Sequence, residues 1–138
     1  MTTNALTLAL AILIRFEGGP ERGEQWRVAS AVHNRWMDPG KRWGESMEQV
    51  IFRKGQFCTW RFHNRDRLQE EADRLAEQDA ASWFVAVQLA VAVQAGQFAP
   101  ITRATHFHVA RMPKPETWKN CVEVDRTKAH VYYYEEAP

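Results

Sequence analysis

Apolar positions run almost unbroken from Leu6 to Ile14 and stop at Arg15-Phe16-Glu17-Gly18-Gly19-Pro20. A stretch apolar on nearly all sides predicts a central helix, capped near Asn4 and running to about Phe16. Beyond the Gly-Gly-Pro break, Trp26, Ala29, Val32 and Trp36 recur three or four apart. That spacing predicts a second helix over Glu24 to Met37, with Arg27, Ser30 and Asn34 on its other face, ended by Asp38-Pro39-Gly40. Ser46 is placed to cap a short helix from Met47 to about Arg53, with Gly55 just beyond it. An irregular strip of polar and aromatic residues, Gln56 to Trp60, follows. Leu68, Ala72 and Leu75 make a narrow apolar stripe on a highly charged surface helix over Asp66 to Glu77. Trp83, Val85, Ala86, Leu89, Ala92 and Val93 give a broad apolar face to a helix that starts at Asp79 or Ser82 and is capped by Gly96. This helix is expected to pack on the first.

The pattern changes after Pro100. Thr105 to Val109 (T-H-F-H-V) and His130 to Tyr134 (H-V-Y-Y-Y) are short, alternating and rich in β-branched or aromatic residues, which predicts a pair of antiparallel strands. Between them Pro113, Pro115 and Trp118 punctuate a stretch that reads as a loop, long enough to be functional. The fold class is therefore α+β, mainly helical, with a small antiparallel β element near the C-terminus, in a single domain over residues 1–138.

Composition narrows the partners. The 138 residues are 45% hydrophobic and 25% charged, an ordinary globular balance. Eighteen basic against seventeen acidic side chains leave +1, so no field draws in nucleic acid or holds the chain on a membrane, and a monomer is expected. Leu6 to Ile14 is too short to span a bilayer, and no Lys or Arg precedes it, so no export signal is expected. Cys58 and Cys121 lack metal-type spacing and read as reduced, structural thiols. Six Trp, seven Phe and three Tyr exceed the needs of a small core. Some of these rings are expected to line a groove suited to flat apolar sugar faces.

Glu17 is the candidate for chemistry. It ends the apolar run and precedes two glycines. A carboxyl at the apolar end of a helix loses solvation and holds its proton, as a general acid must, while Gly18 and Gly19 let a bulky substrate approach. Local sequence leaves this open against an ordinary solvated acid at a helix end.

Six motifs in order then coincide with one family. They are Glu17; the loop Gly18 to Gly23; Val28 to Val32 with Asn34-Arg35; Val50-Ile51 through Gln56-Phe57; Thr105 to His108; and Ala129-His130-Val131-Tyr132. Together they cover nearly the whole chain, which resembles the SleB-like (spore-cortex-lytic type) cell-wall hydrolases. The resemblance implies a lysozyme- or transglycosylase-like fold and Glu17 as catalytic acid. It also implies no metal and no cofactor, and peptidoglycan glycan strands as the partner. Gln56, Phe57, Trp60, His106, His108 and Tyr132 are the expected substrate-binding residues. The chain departs from the family pattern in its shortened loop, where Glu21 and Glu24 compete for the second acidic position, and in Cys58, where a small hydroxyl residue is common.

Such a bare domain looks like a phage endolysin, made in the host cytoplasm without a signal peptide and released to the wall by a holin. The expected reaction is cleavage of the β-1,4 bond between N-acetylmuramic acid and N-acetylglucosamine by a lytic transglycosylase, which needs one acid. A muramidase-type hydrolase needs a second carboxylate, for which Glu21, Glu24, Asp66, Glu123 and Asp125 are the candidates. Two further readings stand beside these. One is a zinc amidase on His106, His108 and His130. The other is a non-catalytic peptidoglycan-binding or phage structural module.

Overall fold

The computed structural model describes residues 1–137. Its first helix, α1 (Thr3–Gly18), is built on six consecutive residues, Ala9 to Ile14, with no exposed surface at all. Burial on every side makes it the axis of the molecule, and each large side chain there contributes about 1.5–3 kcal/mol. The cap is Thr2, two residues earlier than expected, whose hydroxyl accepts from Ala5 N at 3.1 Å. At the other end Gly19 takes φ 73, which admits glycine readily, and donates back to Arg15 O.

Helix α2 (Arg22–Trp36) packs close to the end of α1. A Cβ on Gly18 would lie 2.8 Å from Gln25 Cα, so Gly18 serves helix packing, while Gly19 has open space around it. Gln25 is fully buried and ties the turn to the next layer, donating to Gly19 O and Ser82 O. Helix α3 (Met47–Phe52) is capped by Ser46, as its sequence implies, and buries Val50 and Ile51. A single 3-10 turn, Cys58–Arg61, stands where the irregular strip was expected. Helix α4 (Leu68–Gln78) is the charged surface helix, and α5 (Ala80–Gln94), capped by Asp79, lies against α1. Gly96, at φ 70, follows the end of α5. None of the helices is long and apolar enough to cross a membrane, among the described residues.

The sheet has three strands, β1 (His106–Val109), β2 (Cys121–Arg126) and β3 (His130–Glu135), in the order β1-β3-β2, all antiparallel. The two strands anticipated from the sequence pair directly, with Phe107 opposite Tyr132. Strand β2 corrects the sequence expectation of a loop between the two predicted strands. It is an edge strand, bulged between Glu123 and Asp125, with Val122 and Glu123 exposed. Charge on an edge resists pairing with other chains and also dilutes the alternation that would announce a strand. The fold is thus α+β and mainly helical, with its small sheet near the C-terminus.

Candidate active site

Glu17 lies in the last turn of α1, half-exposed. Its Oε1 accepts from Thr59 N at 3.2 Å, Thr59 Oγ1 at 3.1 Å and the Cys58 thiol at 3.2 Å. All these donors come from the 3-10 turn, whose tight winding turns Thr59 inward until it has no exposed surface. Glu17 is therefore held by directed hydrogen bonds, in contrast to the dry apolar setting that its neighbours in sequence suggest. Cys58 is exposed as a residue, but partial desolvation of its thiol against Glu17, and then the Glu17 charge, push the thiol up to about 11, so it stays protonated and able to donate. Cys58 and Cys121 are both free.

Glu17 lines two clefts. The larger, about 570 Å³, is bounded by Phe16, Pro20, Glu21, Glu24, Lys128 and His130. Phe16 there stacks on Phe62, a ring 67% exposed, with centroids 5.3 Å apart. The smaller, about 190 Å³, is bounded by Arg35, Gln56, Phe57, Cys58, Phe107 and Trp118.

Two further carboxylates border the larger cleft, Glu21 and Glu24, and Glu24 is the buried one, only 4% exposed. Its Oε2 accepts from Tyr132 OH at 2.5 Å and lies 3.0 Å from His130 Nδ1. Burial opposes its ionisation, but hydrogen bonds from Thr127, Tyr132 and His130, with the His130 charge, outweigh that and hold the carboxyl below its usual range. Burial and then the Glu24 hydrogen bond drive the Tyr132 hydroxyl upward, which keeps it a donor. Of the other carboxylates, Glu21 caps α2 through Gly23 N and borders the same cleft. Asp125 pairs with Arg27 at 2.8 Å, Glu123 pairs with Arg126 on the exposed edge, and Asp66 is an exposed loop residue.

The smaller cleft is organised by Arg35, a buried guanidinium that donates to Thr105 O and to Gln56 Oε1, with Trp43 and Phe57 under its plane. Burial brings it down to about 10, opposed by Glu135, Cys121 and Glu17, so it remains charged at neutral pH. Its neighbour Asn34 donates to Thr102 O and Ala104 O and fixes the approach to β1. The Asn-Arg pair thereby docks α2 on the sheet.

Of the residues expected to bind substrate, Gln56 and Phe57 border the smaller cleft beside Glu17. The amide of Gln56, however, is committed inward to Arg35 and Trp43 O. Trp60 gives its indole N–H to Ile51 O and packs on Phe52 at 4.6 Å, against the core rather than in either cleft. His106, His108 and Tyr132 cannot share a surface, because side chains alternate along a strand. His106 and His108 face Trp118 and Tyr133, whereas Tyr132, wholly buried, faces Phe107 and His130 on the other side. His106 is itself buried, and burial, with Arg35 and Arg42 adding to it, pushes it down to about 3, so the ring is neutral. The same alternation separates His130 from the zinc triad suggested by sequence, and His108 is engaged by Val109 O and Tyr133 OH. Sequence reasoning missed Thr59, Arg35 and Phe107 as site residues. For Phe107 the period of two in T-H-F-H-V was the available signal, since it places Phe107 opposite to its flanking histidines.

The sequence matches the family described as Cell Wall Hydrolase over residues 18–133. The chain belongs to that family. As a cell-wall hydrolase it is an enzyme acting on peptidoglycan. The matched stretch opens one residue beyond Glu17 and takes in the walls of both clefts other than Phe16 and Glu17, from Gly18 to His130. No curated protein and no solved structure gives a significant match to the chain.

Proposed function

We propose that this cell-wall hydrolase is a lytic transglycosylase that cleaves the β-1,4 bond between N-acetylmuramic acid and N-acetylglucosamine, with Glu17 as acid and then base. The observation that carries the reading is the one-sided hydrogen bonding of Glu17 between two clefts. Three donors hold Oε1 at 3.1–3.2 Å, while Oε2 takes only a longer contact of 3.6 Å from the same Cys58 thiol, so Oε2 is the less engaged oxygen and the one we assign to proton transfer. Oε2 gives that proton to the glycosidic oxygen as the bond to the muramic acid C1 breaks. The C6 hydroxyl of the same sugar then attacks C1, returns its proton to Glu17 and closes a 1,6-anhydro ring. No water enters, and the carboxyl ends as it began.

Glu24 bears on the choice between products. Its Oε2 is taken by Tyr132 and His130 and the residue is only 4% exposed, so the carboxylate is held in place by the protein and offers little access to an attacking water. That supports the one-acid mechanism. The second reading is a muramidase-type hydrolase with Glu24 as base, favoured by its position on the same cleft as Glu17.

Mass spectrometry of digested peptidoglycan tests both. Anhydromuramyl ends support the transglycosylase, reducing muramic acid ends the hydrolase, and free peptides with intact glycan would defeat both. Glu17→Gln is expected to fold and bind glycan but to lose about a thousandfold or more in turnover. Glu17→Gln protein that still clears walls at the wild-type rate removes Glu17 from the mechanism.

A further inference from the structure

Behind the smaller cleft, on the face of the sheet opposite to Phe107 and Tyr132, three metal-type ligands gather. His106 from β1, Cys121 from β2 and Glu135 from β3 each bring one ligand atom within 4.8 Å of the other two. Their register explains the convergence: Cys121 stands directly opposite Glu135, and His106 stands opposite Tyr133, two residues before Glu135 on the same side of β3. The histidine and the cysteine are buried, and the glutamate is half-buried. We propose that these three side chains bind one zinc ion that staples the three strands together.

The donor set fits that ion. Thiolate, imidazole and carboxylate are the ligands zinc takes together, while magnesium and calcium demand oxygen alone. Thr105 Oγ1 lies 2.9 Å from His106 Nδ1, the kind of outer contact that orients a ligating ring and leaves Nε2 for the metal. Arg42 approaches Glu135 Oε2 at 3.6 Å and leaves Oε1 for coordination. Binding releases the Cys121 proton to solvent, and thiolate plus carboxylate then cancel the charge of the dication. The neighbouring Arg35 and Arg42 consequently face a neutral centre. The indole of Trp118 covers His106 with ring centroids 4.9 Å apart and also borders the cleft beside Glu17. A metal here fixes that wall of the cleft, whatever Glu17 does chemically.

Cobalt(II) titration of the full chain, freed of metal by chelator, is the test. One equivalent is expected to produce thiolate-to-cobalt charge-transfer absorption, and zinc is expected to displace it and raise the thermal midpoint. Cys121→Ser should abolish the band, Cys58→Ser should keep it, and Glu135→Gln, at the least buried ligand, should weaken cobalt binding about tenfold or more. Circular dichroism verifies that each variant is folded. A folded wild-type chain with neither the band nor a zinc-dependent midpoint overturns the proposal, as does a band that survives Cys121→Ser and vanishes in Cys58→Ser.

Discussion

Thr59 grips Glu17 twice, with its backbone N–H and its hydroxyl both directed at Oε1, at 3.2 and 3.1 Å. The residue has no exposed surface, so it positions the acid and does not itself touch substrate. Thr59→Val keeps the shape and the backbone donor but removes the hydroxyl. Loss of one hydrogen bond to a charged group, about 1.5 kcal/mol, should lower kcat about tenfold with KM nearly unchanged. Steady-state kinetics on purified glycan would show this; a change confined to KM would move Thr59 out of that role.

Tyr132 and Glu24 give a pH-dependent contribution to stability. The folded-state carboxyl of Glu24 lies below its ordinary value of 4.5, so the stability it supplies is full above that value and is lost as pH falls through the folded one. The groups facing it are His130 and Tyr132 on β3, Thr127 in the preceding turn, and Arg27 on its own helix, the last paired with Asp125. Tyr132→Phe should cost about 1–3 kcal/mol at neutral pH. Urea unfolding across pH is expected to show that deficit narrowing below pH 4.5. A deficit independent of pH would mean that Tyr132 acts through packing alone.

Gln56→Ala separates scaffold from subsite. Because the amide is spent on Arg35 and Trp43 O, the substitution removes one of the partners of a buried guanidinium, which keeps Thr105 O and the residue-56 carbonyl, and leaves the Trp43 carbonyl without its donor. A stability loss of about 1–3 kcal/mol is expected. Glycan affinity measured on the folded fraction should change little; a large affinity loss with normal stability would return Gln56 to direct sugar contact.

Gly18→Ala probes the turn behind Glu17. The new methyl would meet Gln25 backbone at 2.8 Å and must push α1 and α2 apart. About 1–3 kcal/mol of stability should be lost, read by thermal unfolding. Gly19→Ala should also destabilise the chain, but through its positive φ and without a clash, since nothing lies within 4 Å.

The sequence by itself determined the helices, because their signals are local. Ala9 to Ile14 is apolar on every side and could only be central, and Ser46 and Asp79 cap where capping residues are expected. It also determined that Glu17 ends the buried helix, and the order of motifs that marks a cell-wall hydrolase. Tertiary structure alone decided what surrounds Glu17. Thr59 is 42 positions away in the chain, and no periodicity in Gln56 to Trp60 could say which side chain the 3-10 turn would aim at the acid. It likewise decided that Glu24 reaches His130 and Tyr132, more than a hundred residues distant, and that Asp66 and Glu123 stay outside. Strand β2 was hidden because an exposed, bulged edge carries charge where a buried strand would carry apolar residues. Local patterns record what a residue needs from its neighbours in the chain. A site is made of residues that the packing of α1, α2 and the sheet brings together, and that packing is not written in any one of them.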